Sequence, residues 1–217
     1  MNSDTQLQHD VLDALEWEPS LDASKIGVTA QDGVVTLTGS VSFYADKHEA
    51  ERIAKSIVGV KAVANDIEVR LPGSSERNDT DLASAVLNAL KWHTSIPEGM
   101  LKVTVRDGWV MLEGDVDWQF QRQAALDAVR FLVGVKGIGN SITLAVRPKP
   151  KDVRAKIESA FKRSAEVDAG HVRVETHDGT IVLKGKVSSW SERAEAERVA
   201  WTAPGVATVD NRLAVEF

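Results

Sequence analysis

The sequence predicts an α+β protein in which three small α-β-β-α-β modules follow one another, each a three-stranded sheet with two helices on one face. One observation behind this prediction is a stretch that occurs three times, as DGVVTLTGSV from residue 32, DGWVMLEGDV from 107 and DGTIVLKGKV from 178. Another is that windows 5–71, 80–146 and 151–217 align without a gap and share eleven identical positions. Within each window the hydrophobic period alternates between that of a helix and that of a strand.

The repeat is longer than that of ordinary solenoids, so each copy is expected to have a core of its own. We expect module 1 at residues 1–71, module 2 at 80–146 and module 3 at 151–217. The linker 72–79, PGSSERND, is polar and predicted to be flexible, whereas 147–150, RPKP, is predicted to be extended and stiff. Modules 2 and 3 should therefore hold the better defined mutual orientation.

The order of elements follows from spacing and turn residues. Leu7, Val11 and Leu15 fall at helical spacing in module 1, and the other windows repeat the pattern. The Asp-Gly dipeptide at 32–33 tolerates the positive φ angles of a type I′ hairpin, and the alternation of Val35 with Leu37 predicts the return strand.

The second helix and the last strand complete each module. A side-chain oxygen is expected to cap the helix at Ser42, Asp117 and Ser188, and a left-handed glycine to end it at Gly59, Gly134 and Gly205. Glycines on the return strand should let the helix lie close to the sheet, and asparagines on the last strand should hydrogen-bond to a nearby loop. These residues are Gly39, Gly114, Gly185, Asn65, Asn140 and Asn211.

Composition and motifs exclude several classes of function. The chain has no cysteine and a net charge of −6, which argues against thiol chemistry, disulfides and nucleic-acid binding. The sequence carries no Sec-type signal and no apolar run long enough to span a bilayer, so a cytoplasmic location is expected. No metal-ligand spacing and no catalytic set recurs between the copies, so we expect no metal, no cofactor and no catalytic residue.

The Asp-Gly hairpin with its V-x-L-x-G-x-V strand, the Ala-rich helix followed by Gly-Val, and the V-x-N-x-I/L strand resemble the BON domain family (bacterial OsmY and nodulation) in all three copies. The resemblance implies a non-catalytic module associated with osmotic and envelope stress. Family members are proposed to bind phospholipid or protein surfaces, and some are linked to chaperone-like or potassium-binding roles. The resemblance thus implies a stress-associated binding protein.

An apolar contact surface is predicted in module 2, where the copies differ. Trp109 and Met111 are expected on the open sheet face, and Trp118 and Phe120 at the corner between strand and helix. A patch of this kind suits lipid or a client protein. Packing at the start of the helix or against a neighbouring module is the alternative.

A second surface, for an anionic partner, is predicted in module 3. A two-residue turn at 178–179 places Arg173 opposite Lys184 and His171 opposite Lys186 on the open face. Like charges across strands are destabilising unless something negative lies over them. An anionic partner would supply that charge, and so would nearby Glu175, Asp210 or Glu216 on the last strand, or the acidic module 1 if it folded back.

Together these observations predict a cytoplasmic, non-enzymatic protein that displays three modules for multivalent contact with phospholipid surfaces or client proteins. Packing between modules or between copies is possible as well. Potassium binding or sensing is the alternative function.

Overall fold

The computed structural model describes residues 3–145, 152–164, 167–177, 180–203 and 205–216. The helices are α1 Asp4–Glu16, α2 Tyr44–Ser56, α3 Asp79–Trp92, α4 Gln119–Arg130, α5 Val153–Arg163 and α6 Trp190–Trp201. The strands are β1 Ile26–Gln31, β2 Val34–Val41, β3 Ala62–Asn65, β4 Glu68–Val69, β5 Leu101–Arg106, β6 Trp109–Val116, β7 Gly137–Leu144, β8 Val172–His177, β9 Thr180–Val187 and β10 Thr208–Val215.

Each sheet has the return strand at its centre, in the orders β1-β2-β3, β5-β6-β7 and β8-β9-β10. The first two strands of each module pair antiparallel. In modules 1 and 3 the last strand runs parallel to the central one, after the second helix has carried the chain back. In module 1 this last strand is split into β3 and β4, which both pair with β2. The predicted fold class is confirmed, and the sheet order, which the sequence alone left open, is now defined.

The hairpin turns have the predicted conformation where they are described. Asp32 and Gly33 have φ angles of 52° and 82°, and Asp107 and Gly108 have 52° and 81°, as a type I′ turn requires. The third turn, at 178–179, lies outside the described residues, but His177 pairs with Thr180 as a two-residue turn predicts. This register fixes which side chains of the central strand enter the core.

Glycines at the middle of the three return strands have a different role from the one predicted. A Cβ atom on Gly39 would lie 2.0 Å from the carbonyl oxygen of Lys25, and one on Gly114 would lie 2.2 Å from that of Met100. Gly185 stands in the same relation to His171, at 2.0 Å. The close neighbour is therefore the backbone just before the first strand, and not the helix as predicted.

The predicted N-caps of the second helices are wrong by one residue. The caps are Phe43, Trp118 and Ser189, and only Ser189 accepts a hydrogen bond with its side chain, from Glu192 N. Instead, the side chain at the third helical position reaches back: Gln121 Oε1 accepts from the amides of Asp117 and Trp118 at 3.0 and 3.1 Å. The predicted glycines after these helices do have positive φ, 100°, 104° and 78°, but they lie beyond the cap and turn the chain toward the last strand.

The chain divides into two compact units, Met1–Thr143 and Leu144–Phe217, so modules 1 and 2 belong to one unit. The expectation that modules 2 and 3 hold the better defined mutual orientation stays a prediction. Gly73–Ser75 form a short 3-10 helix, and Asn78 caps α3 by accepting from Asp81 N at 2.8 Å. Residues 147–150 lie outside the described residues.

We predict that Gly114→Ala destabilises its unit by at least about 2 kcal/mol, because an alanine there combines a φ of 137° with a clash against backbone. Gly73→Ala is the matched control, since nothing lies within 4 Å of a Cβ at that position. Urea unfolding followed by circular dichroism measures both variants. Equal stability of Gly114→Ala and wild type would contradict this account of the strand.

Candidate binding surfaces

The open sheet face of module 2 carries an exposed aromatic ring that lies flat on the neighbouring strand. The Trp109 side chain is 59% exposed, and Met111 is exposed two residues further on. A Cβ on Gly137 of β7 would lie 2.4 Å from the Trp109 ring, and one on Gly139 would lie 2.4 Å from the Met111 methyl group. The two large side chains therefore occupy the space that two glycines leave empty.

The last strands of the other modules have no glycine at the two corresponding positions. In module 1 the corresponding cross-strand pairs are Val34 with Ala62 and Thr36 with Ala64. Compared with module 1, module 2 therefore has larger side chains on its central strand β6 and smaller residues opposite them on β7. The resulting apolar platform is specific to module 2.

Basic side chains flank this platform. In the strand register Lys102 lies opposite Glu113, and Arg106 lies opposite Trp109. Both cations are exposed, and among the described residues neither makes an ion pair within 4.0 Å. An exposed indole beside unpaired cations suits an anionic surface that also has an apolar layer.

The four predicted apolar residues do not form one surface. Trp109 begins β6, whereas Trp118 caps the helix that follows it, so roughly 25 Å of extended chain separates them. Trp118 is half-buried and Phe120 is exposed on the first turn of α4. The structure therefore joins Trp109 with Met111 and places Trp118 with Phe120 at the other end of the strand.

The open face of module 3 has the predicted register of like charges. Arg173 lies opposite Lys184, and on the other side Lys184 lies opposite Arg212 of β10. Neighbouring acids offset these cations. Lys184 Nζ donates to Glu175 at 2.6 Å, and Arg212 forms an ion pair with Asp210 at 2.7 Å. The hydrogen bond from Lys184 lowers the pKa of the Glu175 carboxyl.

The remaining two residues of this predicted surface behave differently from Arg173 and Lys184. His171 lies in the turn before β8, outside the strand ladder, and its Nδ1 is 2.9 Å from Asp168. Its predicted pairing with Lys186 is reduced to one backbone hydrogen bond from Lys186 N to His171 O at 3.3 Å. The Lys186 side chain binds Glu216 at 2.6 Å. Carboxylates of the same module thus neutralise most of the positive charge that an anionic partner was predicted to neutralise.

Two of the three repeated asparagines connect the last strand to the second helix, and not to a loop as predicted, whereas Asn140 is exposed and its Oδ1 accepts from Ile142 N at 3.0 Å. Asn65 Nδ2 donates to Lys47 O and to Glu51, both at 3.1 Å. In module 3, Asn211 donates in the same way to Arg193 O at 3.2 Å and to Glu197 at 3.0 Å. These amides are structural.

Two exposed tryptophans were missed by sequence reasoning. Trp17 directly follows α1 and Trp92 is the last residue of α3, at corresponding positions of modules 1 and 2, and they are 89% and 83% exposed. Module 3 has Arg163 at this position. The repeat alignment contained the signal, because an aromatic residue recurs where the helical pattern places no core residue.

Modules 1 and 2 meet where the first turn of α2 faces the end of α4. A cleft of about 450 Å³ lies between them, lined among others by Phe43, Ala45, His48, Arg130 and Phe131. Burial raises the pKa of Tyr44, and the nearby Arg130 guanidinium opposes this shift. The junction therefore combines apolar side chains such as Phe43 and Ala45 with the charged Arg130.

His48 is the titratable group most affected by this junction. Burial lowers its pKa, and the nearby Arg130 guanidinium lowers it further. Glu51, Glu49 and Asp127 act in the opposite direction with smaller effect. The imidazole is therefore held in its neutral form more strongly than in the unfolded chain.

Within the described part of the chain, no three acidic or histidine side chains gather in a way that would hold a metal ion. The same described residues include no helix with the length and apolar character needed to cross a bilayer.

These modules define the chain as a set of three small α-β-β-α-β domains whose exposed surfaces differ. The BON domain model matches residues 3–70, 78–146 and 151–216, and the chain belongs to the BON domain family. A curated relative, the osmotically-inducible protein Y of Escherichia coli (strain K12), is 32% identical over 143 residues, which cover 64% of this chain and 71% of the relative.

Among solved structures, matches include the C-terminal domain of CdsD, a structural protein of the type III secretion system of Chlamydia trachomatis. It is 15% identical, with a TM-score of 0.28 over the full length of both chains. The periplasmic domain of PrgH is 9% identical, with a TM-score of 0.25 over 95% of this chain and all of that one. At these scores the likeness supports no structural argument.

We predict that the first unit loses stability as the pH falls below the ordinary histidine pKa of about 6.5. The pKa of His48 is lowered on folding, so in this range the unfolded chain binds a proton that the folded chain does not. His48→Gln should flatten the pH dependence of the urea midpoint between about pH 8 and 5.5. His9→Gln, on an exposed position of α1, is the control and should retain the wild-type slope.

Proposed function

We propose that the protein is a non-catalytic, stress-associated member of the BON family that binds anionic phospholipid surfaces through the open sheet face of module 2. The observation that carries this proposal is Trp109, exposed and held flat on Gly137 beside unpaired Arg106. An indole in this setting buries its apolar area at the interface between lipid and water while the cation meets the headgroup phosphate.

Further surfaces of the chain contribute weaker contacts of the same kind. Trp17 and Trp92 add exposed aromatic area, and module 3 adds a sheet face on which four basic side chains outnumber three acidic ones. The four are Arg173, Lys184, Lys186 and Arg212, and the three are Glu175, Asp210 and Glu216. Several weak contacts on one chain increase the overall affinity, because each one raises the effective concentration of the next.

Anionic lipid is favoured over a client protein because the platform combines apolar area with unpaired positive charge. A client that offers only apolar segments would leave Arg106 without a partner, whereas Lys102 already lies opposite Glu113. The name of the Escherichia coli relative supports an association with osmotic stress. The cytoplasmic location expected from the sequence remains part of the proposal.

We predict that the double variant Trp109→Ser and Met111→Ser strongly reduces flotation with vesicles that contain phosphatidylglycerol, because the apolar contact is removed while the glycine strand stays intact. The corresponding change in module 1, Val34→Ser with Thr36→Ser, is the matched control and should retain binding. Flotation is compared with vesicles of pure phosphatidylcholine. Wild-type binding that is equal for both vesicle types, or undiminished in the double variant, would refute the proposed site.

We also predict that reversing Lys184 and Lys186 to Glu lowers vesicle binding at low salt, because the face then changes from a net charge of about +1 to strongly negative. The loss should be smaller than for the module 2 variant, since Glu175 and Glu216 already pair with these lysines. Lys156→Glu with Lys162→Glu, exposed on α5, produces the same change in total charge and is the control. An identical loss in the control would show that only net charge matters.

A further inference from the structure

The apolar platform of module 2 contains a methionine at a place where the other modules have no sulfur. Met111 lies on the central strand β6, two residues after Trp109. The corresponding residues of modules 1 and 3 are Thr36 and Val182. The other methionine that the structure describes, Met100, precedes β5. The thioether is therefore a feature of the platform and not of the repeat.

The Met111 side chain lies across β7 and remains open to solvent. A Cβ on Gly139 would be 2.4 Å from the Met111 methyl carbon and 2.8 Å from Sδ, so the thioether fills the space that this glycine leaves. The Ser141 hydroxyl donates a hydrogen bond to Sδ at 3.6 Å. The side chain is nonetheless 38% exposed, so a small oxidant can approach it.

An exposed thioether is oxidised by peroxides to methionine sulfoxide. Sδ attacks one oxygen of hydrogen peroxide, and the S–O bond forms as the O–O bond breaks. The proton on the transferred oxygen passes to the other oxygen, which leaves as water. The sulfur thereby loses two electrons and the peroxide gains them. The chain has no cysteine that would consume the oxidant first.

The sulfoxide changes the surface without disturbing the core. Its oxygen is a hydrogen-bond acceptor, and the Ser141 hydroxyl already lies next to the sulfur. Because Met111 is exposed, water also reaches the oxidised side chain in the free protein. In contact with lipid the same oxygen would lose that water, and the burial of a polar group without partners is unfavourable. Oxidation thus opposes burial of the platform but not folding.

We propose that Met111 is an oxidation site through which peroxide releases module 2 from an anionic lipid surface. This inference rests on the proposed function, because it assigns a regulation to the same sheet face. Trp109 supplies the aromatic ring of the contact, and Met111 makes the contact dependent on oxidant. Methionine sulfoxide reductases reverse the change with a dithiol as reductant: the oxygen leaves as water and the two thiols become a disulfide.

The experiment is flotation of the full-length protein with phosphatidylglycerol vesicles before and after treatment with hydrogen peroxide. Peptide mass spectrometry measures oxidation at each methionine. Binding of wild type should fall roughly five- to tenfold once Met111 is oxidised, and the reductases with dithiothreitol should restore it. Met111→Leu should retain its binding after treatment. Met100→Leu is the matched control, since Met100 is 48% exposed but lies outside the platform, and it should lose binding as wild type does.

A second pair of variants tests the same point without oxidant. Met111→Gln places a polar amide where the sulfoxide would be, and it should bind the vesicles as weakly as the oxidised protein. Met100→Gln should bind like wild type. Circular dichroism should give the same melting temperature for oxidised and untreated wild type. A lower value after oxidation would assign the loss of binding to unfolding and overturn the proposal.

The outcomes separate this proposal from the proposed function. Untreated wild type that does not bind the vesicles would overturn both. If untreated wild type binds and the oxidised protein binds equally well, only the role of Met111 is overturned. The same holds if Met111→Leu loses binding on treatment as wild type does, or if Met111 stays reduced while Met100 is oxidised.

Discussion

The register of the Asp-Gly hairpin determines the rest of each module. Two residues in the left-handed region reverse the chain in the smallest possible loop, and every cross-strand pair then follows by counting outward. Because side chains alternate between the faces of a strand, this count decides which residues enter the core and which remain on the open face. The glycine at the middle of the return strand belongs to the same constraint, since it admits the carbonyl that precedes the first strand. With the backbone held in this way, the open-face residues are free to differ from copy to copy.

The three copies use that freedom differently. Module 2 has an apolar platform with cations at its border, and module 3 has rows of alternating positive and negative side chains. Module 1 presents small and β-branched side chains on its sheet face but supplies α2 for the junction with module 2. One fold thus provides an apolar surface, a charged surface and a surface for the junction between two modules.

The elements and the register were predictable because they depend on local patterns: helical spacing, Asp-Gly turns and strand alternation. The order of the sheet and the role of Gly114 were not, because both depend on backbone that is distant in the sequence. For the same reason the predicted apolar surface was divided: Trp109 and Trp118 are close in the sequence but lie at opposite ends of an extended strand. The grouping of modules 1 and 2 was missed because linker composition says nothing about the contacts that Tyr44 and His48 make.

The fit of Trp109 against Gly137 also constrains substitution at these two positions. A Cβ on residue 137 would lie 2.4 Å from the indole, so tryptophan at 109 and alanine at 137 cannot both be accommodated in this arrangement. Module 1 has the smaller pair, Val34 with Ala62. With an alanine at 137 the exposed indole would have to turn away from β7, so the ring lies on the strand only when glycine and tryptophan occur together. A substitution at either position of the pair therefore removes the platform, whether it changes the ring or the strand beneath it.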